Sequence, residues 1–153
     1  MIAYLSGPIE NAHNDGADWR VKMTDWLKSE LDHGVFNPVI ETKSIIKNVK
    51  GSDFRLLKKT NPDAYKEIIR KIISVDLEAV VKHADYLIVK WDKSVFRGGG
   101  THGEVTMAYW LGKPVYLVNS LPIDDISSWI FSCSEEIFDD FESLKKRLEK
   151  IYC

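Results

Sequence analysis

The sequence predicts a single α/β domain, a doubly wound, parallel, five-stranded sheet covered by helices on both faces. Short apolar runs that read as buried strands alternate along the chain with amphipathic helix patterns, as βαβ units require. One such run, residues 85–91, is nearly continuously apolar at its middle, as strands buried on both faces are. The 153 residues contain no internal repeat, low-complexity tract or second domain, and a chain of that size buries about two-thirds of its unfolded surface in one core.

Taken in order, Ile2, Ala3, Tyr4 and Leu5 form a first strand stopped by the turn residues Ser6, Gly7 and Pro8. Over residues 15–32, Trp19, Val21, Met23, Trp26, Leu27 and Leu31 recur mainly at three- and four-residue steps, an amphipathic helix that stops near Gly34. Residues 35–40 read as a second strand, where Pro38 limits the ladder and favours an edge or a strand end, near which Asn37 also lies. Residues 41–61 are lysine-rich, irregular and carry Gly51; they read as a mobile insertion with one short helix, a candidate lid. Pro62 then starts a strong helix whose stripe is Tyr65, Ile68, Ile69, Ile72 and Ile73.

Asp76 continues that stripe, and two readings follow. Either its carboxylate faces a cavity, because burial against apolar neighbours is costly, or the helix breaks at Ser74 and Asp76 caps its continuation. Residues 85–91 form the third strand, with Asp92 just past it. A glycine-rich stretch from Arg97 to Glu104 opens a helix that Gly112, Lys113 and Pro114 end. Residues 115–118 make a fourth strand, residues 122–133 a loop with one short helix around Trp129, and residues 136–138 a brief fifth strand. Residues 141–152 form a last helix carrying Leu144, Leu148 and Ile151.

Composition excludes several classes of partner. Apolar residues at 44%, charged residues at 29% and a formal charge of −2 give no electrostatic footprint for nucleic acid polymers or anionic membranes. No run reaches the ~20 apolar residues of a membrane span, and no basic leader precedes the first strand, so a cytoplasmic location is expected. Cys133 and Cys153, with the scattered His13, His33, His83 and His102, form neither a disulfide framework nor a zinc pattern, so no metal and no cofactor is expected.

In this fold Gly7, Pro8, Asn37, Asp92 and the glycine-rich loop all follow strand ends and share the sheet edge where such folds bind ligands. The spacing Gly98-x-Gly100-x-x-Gly103 matches a dinucleotide fingerprint in letters, but it lies several residues past the strand. Asn119 and Ser120 stand where that motif needs an acid after the next strand, so NAD is disfavoured. A P-loop ending is absent. Thr101-x-x-Glu104 is also a capping box, which gives both residues a structural role. Against that role alone stands the company of Glu104: Asp92 and Asp76 would place three carboxylates in one pocket, raising at least one pKa. Paired carboxylates suit cleavage at a glycosidic carbon, and for a nucleoside the leaving group is a base nitrogen that an aspartic acid can protonate. His102 is either a substrate contact or an incidental loop histidine. Arg97 either binds phosphate or is simply solvated.

The residues that carry this chemistry also carry a resemblance. The run from Tyr4 to Ile9, Asp76 followed by residues 84–89, Asp92, Gly100-Thr101-x-x-Glu104 with Ala108, and residues 112–115 resemble the nucleoside 2-deoxyribosyltransferase family and its deoxynucleoside monophosphate N-glycosidase relatives. That resemblance implies a flavodoxin-like, Rossmann-like sheet and a Glu104 nucleophile that forms a glycosyl-enzyme intermediate. Asp76 and Asp92 would hold and protonate the base, Tyr4 would orient the nucleophile, and Gly7 would let the sugar approach. A second base would complete a transfer and water a hydrolysis, in a homodimer or higher homo-oligomer whose neighbouring subunit completes the site. The glycine-rich loop and the basic 41–61 segment depart from the pattern and favour a 5′-phosphate. Ser6, Ser94, Arg97 and the amides of Gly98, Gly100, Thr101 and His102 are its candidate contacts, with Pro8 at the site wall. Two readings stand beside this one: a cytokinin-type phosphoribohydrolase, which the Gly-Gly-Gly-Thr-x-x-Glu run also resembles, and a non-catalytic nucleotide-binding module on the same fold.

Overall fold

The computed structural model describes residues 1–49 and 54–153. Five parallel strands, β1 (Ile2–Ser6), β2 (Gly34–Phe36), β3 (Tyr86–Trp91), β4 (Val115–Asn119) and β5 (Glu136–Phe138), lie in the order β2-β1-β3-β4-β5. The helical segments are α1 (Ala17–Leu31), α2 (Pro38–Glu41), α3 (Lys43–Lys47), α4 (Leu57–Thr60), α5 (Pro62–Glu78), α6 (Gly100–Trp110), α7 (Ser128–Cys133) and α8 (Phe141–Tyr152). This is the flavodoxin-like order, and its topological switch point lies between β1 and β3. Among the described residues no helix is long and apolar enough to cross a membrane.

Strand alternation divides the core. Tyr4, Leu87, Val89, Trp91 and Leu117 pack on one face against Val105 and Ala108 of α6 and Ile130 of α7. Leu5, Tyr86, Ile88, Tyr116 and Val118 pack on the other against Met23 and Leu27 of α1 and Leu144 and Leu148 of α8. Every residue of β4 is buried, as a strand covered on both sides must be.

Three expectations are revised. The second strand ends at Phe36, at the sheet edge. The Asn37 side chain accepts from the Val39 amide and Pro38 takes the first helical position, so residues 38–41 form a helical turn. Among its described residues the 41–61 segment holds two short helices, α3 and α4, rather than one, with a 3₁₀ turn over Phe54–Leu56, while Gly51 lies outside the described residues. Third, α5 does not break at Ser74. The Ser74 hydroxyl bonds back to the Arg70 carbonyl at 2.9 Å, and the helix runs on to Glu78 before a π-helical turn over Ala79–His83. Asp76 therefore sits inside the helix and caps nothing.

Candidate active site

At the end of β1, Tyr4 and Ser6 lie two residues apart and so point to the same face, toward α6. Glu104 comes down on them from the first turns of that helix. The Tyr4 hydroxyl donates to Glu104 Oε1 at 2.8 Å and the Ser6 hydroxyl donates to Oε2, so each carboxylate oxygen has its own donor. Tyr4 is itself fixed by stacking on Phe36, ring centroids 5.2 Å apart. Glu104 does not complete a capping box. The helix starts at Gly100, with Gly99 as N-cap, so Thr101 already stands within the first turn, and the carboxylate is taken by β1 side chains.

Asp76 reaches the same place from α5. It is buried, and its Oδ1 has no hydrogen-bond partner among the described residues. Burial first, and the Glu104 charge second, push its carboxyl up from 3.8 to about 7, against the pull of Arg20. Burial also pushes Glu104 up, while the hydrogen bonds from Ser6 and Tyr4, and then Arg20, pull it back. Two donors serve Glu104 and none serves Asp76 Oδ1. Where one proton is shared by the pair, hydrogen bonding favours the charge on Glu104 and the proton on Asp76. Burial raises the Tyr4 phenol strongly, so it stays a donor.

The sequence reading passed over Arg20. It is fully buried, its guanidinium donating to the carbonyls of Leu5 (3.2 Å), Gly16 (2.9 Å) and Gly7 (2.8 Å). The signal was available: Arg20 stands three residues before Met23 and seven before Leu27, on the buried stripe of α1. A cation on an apolar stripe asks for a partner just as Asp76 does.

The remaining candidates are distributed around this centre. Asp92 does not join Asp76 and Glu104. It falls two residues after Lys90 on the strand face opposite Trp91, pairs with Lys90 at 3.3 Å, and accepts from the Ser94 amide at 2.8 Å. Asp92, Ser94 and Pro8 line a cleft of about 710 Å³ with Trp19, Lys22 and Lys93, on the α1 side of the switch point. Gly7 is required by its surroundings, since an added Cβ would lie 3.1 Å from Trp19 Cζ2 and 3.3 Å from the Lys90 carbonyl. Gly98 and Gly100 face open space. Arg97 is exposed at the end of a 3₁₀ turn over Lys93–Arg97, and Thr101 is buried. His102 is helical and half-buried, its ring 4.9 Å edge-on from Trp91, and burial pushes its pKa down toward the neutral imidazole. Among the described residues no group of three His, Cys, Asp or Glu side chains is placed to hold a metal ion.

No protein-family model and no curated protein matches the sequence. Solved structures do share its fold. A 2-deoxyribosyltransferase from Bacillus psychrosaccharolyticus matches with TM-score 0.65 at 24% identity, over 95% of this chain and 90% of that one. A 2-deoxyribosyltransferase from Leishmania mexicana matches with TM-score 0.59 at 15% identity, over 99% of both chains. A CMP N-glycosidase from Clostridium botulinum matches with TM-score 0.50 at 16% identity, again over 99% of both. The chain thus has the Rossmann-like fold of these enzymes.

Proposed function

We propose that the protein breaks the N-glycosidic bond of 2′-deoxynucleosides or their 5′-monophosphates, with Glu104 as nucleophile. The observation that carries this reading is the pairing of a buried carboxylate held by two hydroxyl donors with a second buried carboxyl that has an unpartnered oxygen and a pKa near neutrality. A Glu104 oxygen attacks C1′ and the C1′–N bond breaks. Its electron pair leaves with the base, whose nitrogen takes the proton of Asp76. Water, or the nitrogen of a second base, then attacks C1′. Asp76 takes the proton, and the Glu104–sugar bond breaks to restore the carboxylate. Water gives hydrolysis and a base gives transfer.

Tyr4 and Ser6 hold the nucleophile so that one lone pair faces the sugar, which limits the reorientation needed at the transition state. Asp92, off the Glu104 face and paired with Lys90 at the cleft beside the switch point, takes no part in the bond cleavage. A 5′-phosphate meets Ser94, Arg97 and the free amides at the start of α6. The outer faces of α6 and α7 leave Tyr109, Trp110, Trp129 and Phe131 exposed, and this supports assembly into a homo-oligomer.

Incubating the protein with deoxynucleosides and deoxynucleoside monophosphates, and following free base by chromatography, tests the reading. Because a CMP N-glycosidase shares the fold, ribonucleoside monophosphates belong in the same panel. Base release that is lost in Glu104→Gln is expected, and a second added base separates transfer from hydrolysis. No release or exchange with any substrate would refute the enzymatic reading.

A further inference from the structure

Among the described residues the buried guanidinium of Arg20 has only neutral hydrogen-bond partners: the carbonyls of Leu5, Gly7 and Gly16. Among the described residues no carboxylate comes within 4.0 Å of it. An ion without a close counter-ion in the interior is costly, so its charge must be balanced at longer range. The anionic groups that act on it are the carboxylates of the candidate site. We propose that Arg20 is a positioning residue for the reaction, the shared counter-charge of Asp76 and Glu104 as well as the clamp on the loop that follows β1.

The geometry supports both parts. Leu5 and Gly7 flank Ser6, the donor to Glu104, so two of the three guanidinium bonds fix the backbone that carries that hydroxyl. The third reaches Gly16, whose backbone is left-handed at φ 67°. A Cβ there would lie 2.5 Å from Arg20 Nη1 and 2.6 Å from the Pro8 carbonyl, so the loop closes tightly around the guanidinium.

On the electrostatic side, the titratable groups facing the carboxylate pair are Tyr4 from β1 and Arg20 from α1. Among the described residues the strands β3 and β4 bring Leu87, Val89, Trp91, Val115 and Leu117, none of them titratable, to that face. Among the described residues Arg20 is the one cation acting on both carboxylates, and it lowers the proton affinity of each. Burial draws its own pKa down only to about 10, so it remains charged at neutral pH. Arg20 therefore works against burial at both carboxylates, drawing each toward its charged form. In that role it sets the pH window of the nucleophile–acid division of labour described under Proposed function, on which this inference rests.

Nitrogen-15 NMR of the Arg20 Nε in the unmodified protein, recorded alongside carbon-13 NMR of the Asp76 and Glu104 carboxyls between pH 5 and 9, provides the test. The Nε resonance is expected to move with the carboxyl titration. In Arg20→Met the carboxyl titrations shift to higher pH, the pH optimum of base release moves up with them, and kcat falls about tenfold at neutral pH. Arg20→Lys keeps the charge and leaves the titrations close to the parent while loosening the loop. An Nε resonance indifferent to the carboxyl titration, or a folded Arg20→Met protein with unmoved carboxyls, overturns the proposal. If Arg20→Met does not fold, the titration of the unmodified protein decides. Neither titration needs a substrate, so a protein with no base-releasing activity sinks the enzymatic reading without deciding this one.

Discussion

Replacing Asp76 by asparagine isolates the stability that the site gives up to keep a carboxyl protonated at neutral pH. The carboxyl is buried, has an oxygen without a partner among the described residues, and is pushed up by burial and the Glu104 charge from an ordinary 3.8 to about 7 in the folded chain. Below 3.8 both states are protonated and the group contributes no difference. As pH rises from there, the unfolded chain releases its proton while the folded one retains it, so stability falls until about pH 7 and then levels off. Converted at the usual free energy per pH unit, the full loss is about 4 kcal/mol. Asparagine has no proton to lose, so Asp76→Asn lacks this slope. Relative to its own difference from the parent at pH 4, the variant gains about 4 kcal/mol by pH 8, or roughly 8–16 °C in Tm for a chain of this size. Thermal or urea melts of both proteins at intervals from pH 4 to 9 measure it. A difference between the two that stays constant with pH refutes the placement of a high-pKa carboxyl at Asp76.

Other perturbations follow from the same geometry. Tyr4→Phe keeps the stacking on Phe36 but removes the donor to Glu104. A hydrogen bond to a charged group is worth ~1.5–3 kcal/mol, so kcat should fall about 10- to 100-fold with little change in KM, as steady-state kinetics would report. Gly16→Ala forces a Cβ into the Arg20 guanidinium and the Pro8 carbonyl at a left-handed backbone position, and denaturant unfolding should show a loss of about 2 kcal/mol. Trp110 is 81% exposed, and Trp110→Ser should lower the assembled mass seen by sedimentation while leaving the fold intact by circular dichroism.

Much of this architecture was legible because local patterns agreed with the global fold. The three-residue β5 over Glu136–Phe138 and the Pro62 start of α5 were readable from a short apolar run and a helix-start proline. Misreadings arose where one residue served two possible local structures. Asn37 and Pro38 sit in an apolar run that looks extended, yet together they are the N-cap and first position of a helical turn. Thr101 and Glu104 have capping-box spacing, but α6 starts two residues too early for Thr101 to be the cap.

The site was legible in part for the same reason. A polar residue on an apolar stripe pointed to Asp76, and that reasoning, applied to Arg20 before Met23 and Leu27, would have found the buried cation as well. Strand ends put Asp92 on the ligand edge, but not on the face of Glu104. Counting alternation from Trp91 would have paired it with Lys90. The hydroxyl contacts of Tyr4 and Ser6 to a residue about a hundred positions away depend on tertiary approach, which no local pattern encodes.

The central claim is that Glu104 becomes bonded to the sugar during turnover. Quenching the protein in acid while it turns over a deoxynucleoside whose sugar bears a 2′-fluorine, which slows breakdown of such an intermediate, and mapping peptides by mass spectrometry measures this directly. The predicted result is one sugar on the peptide that contains Glu104, absent from Glu104→Gln. Release of base with no adduct at Glu104, and undiminished turnover in Glu104→Gln, would contradict the account.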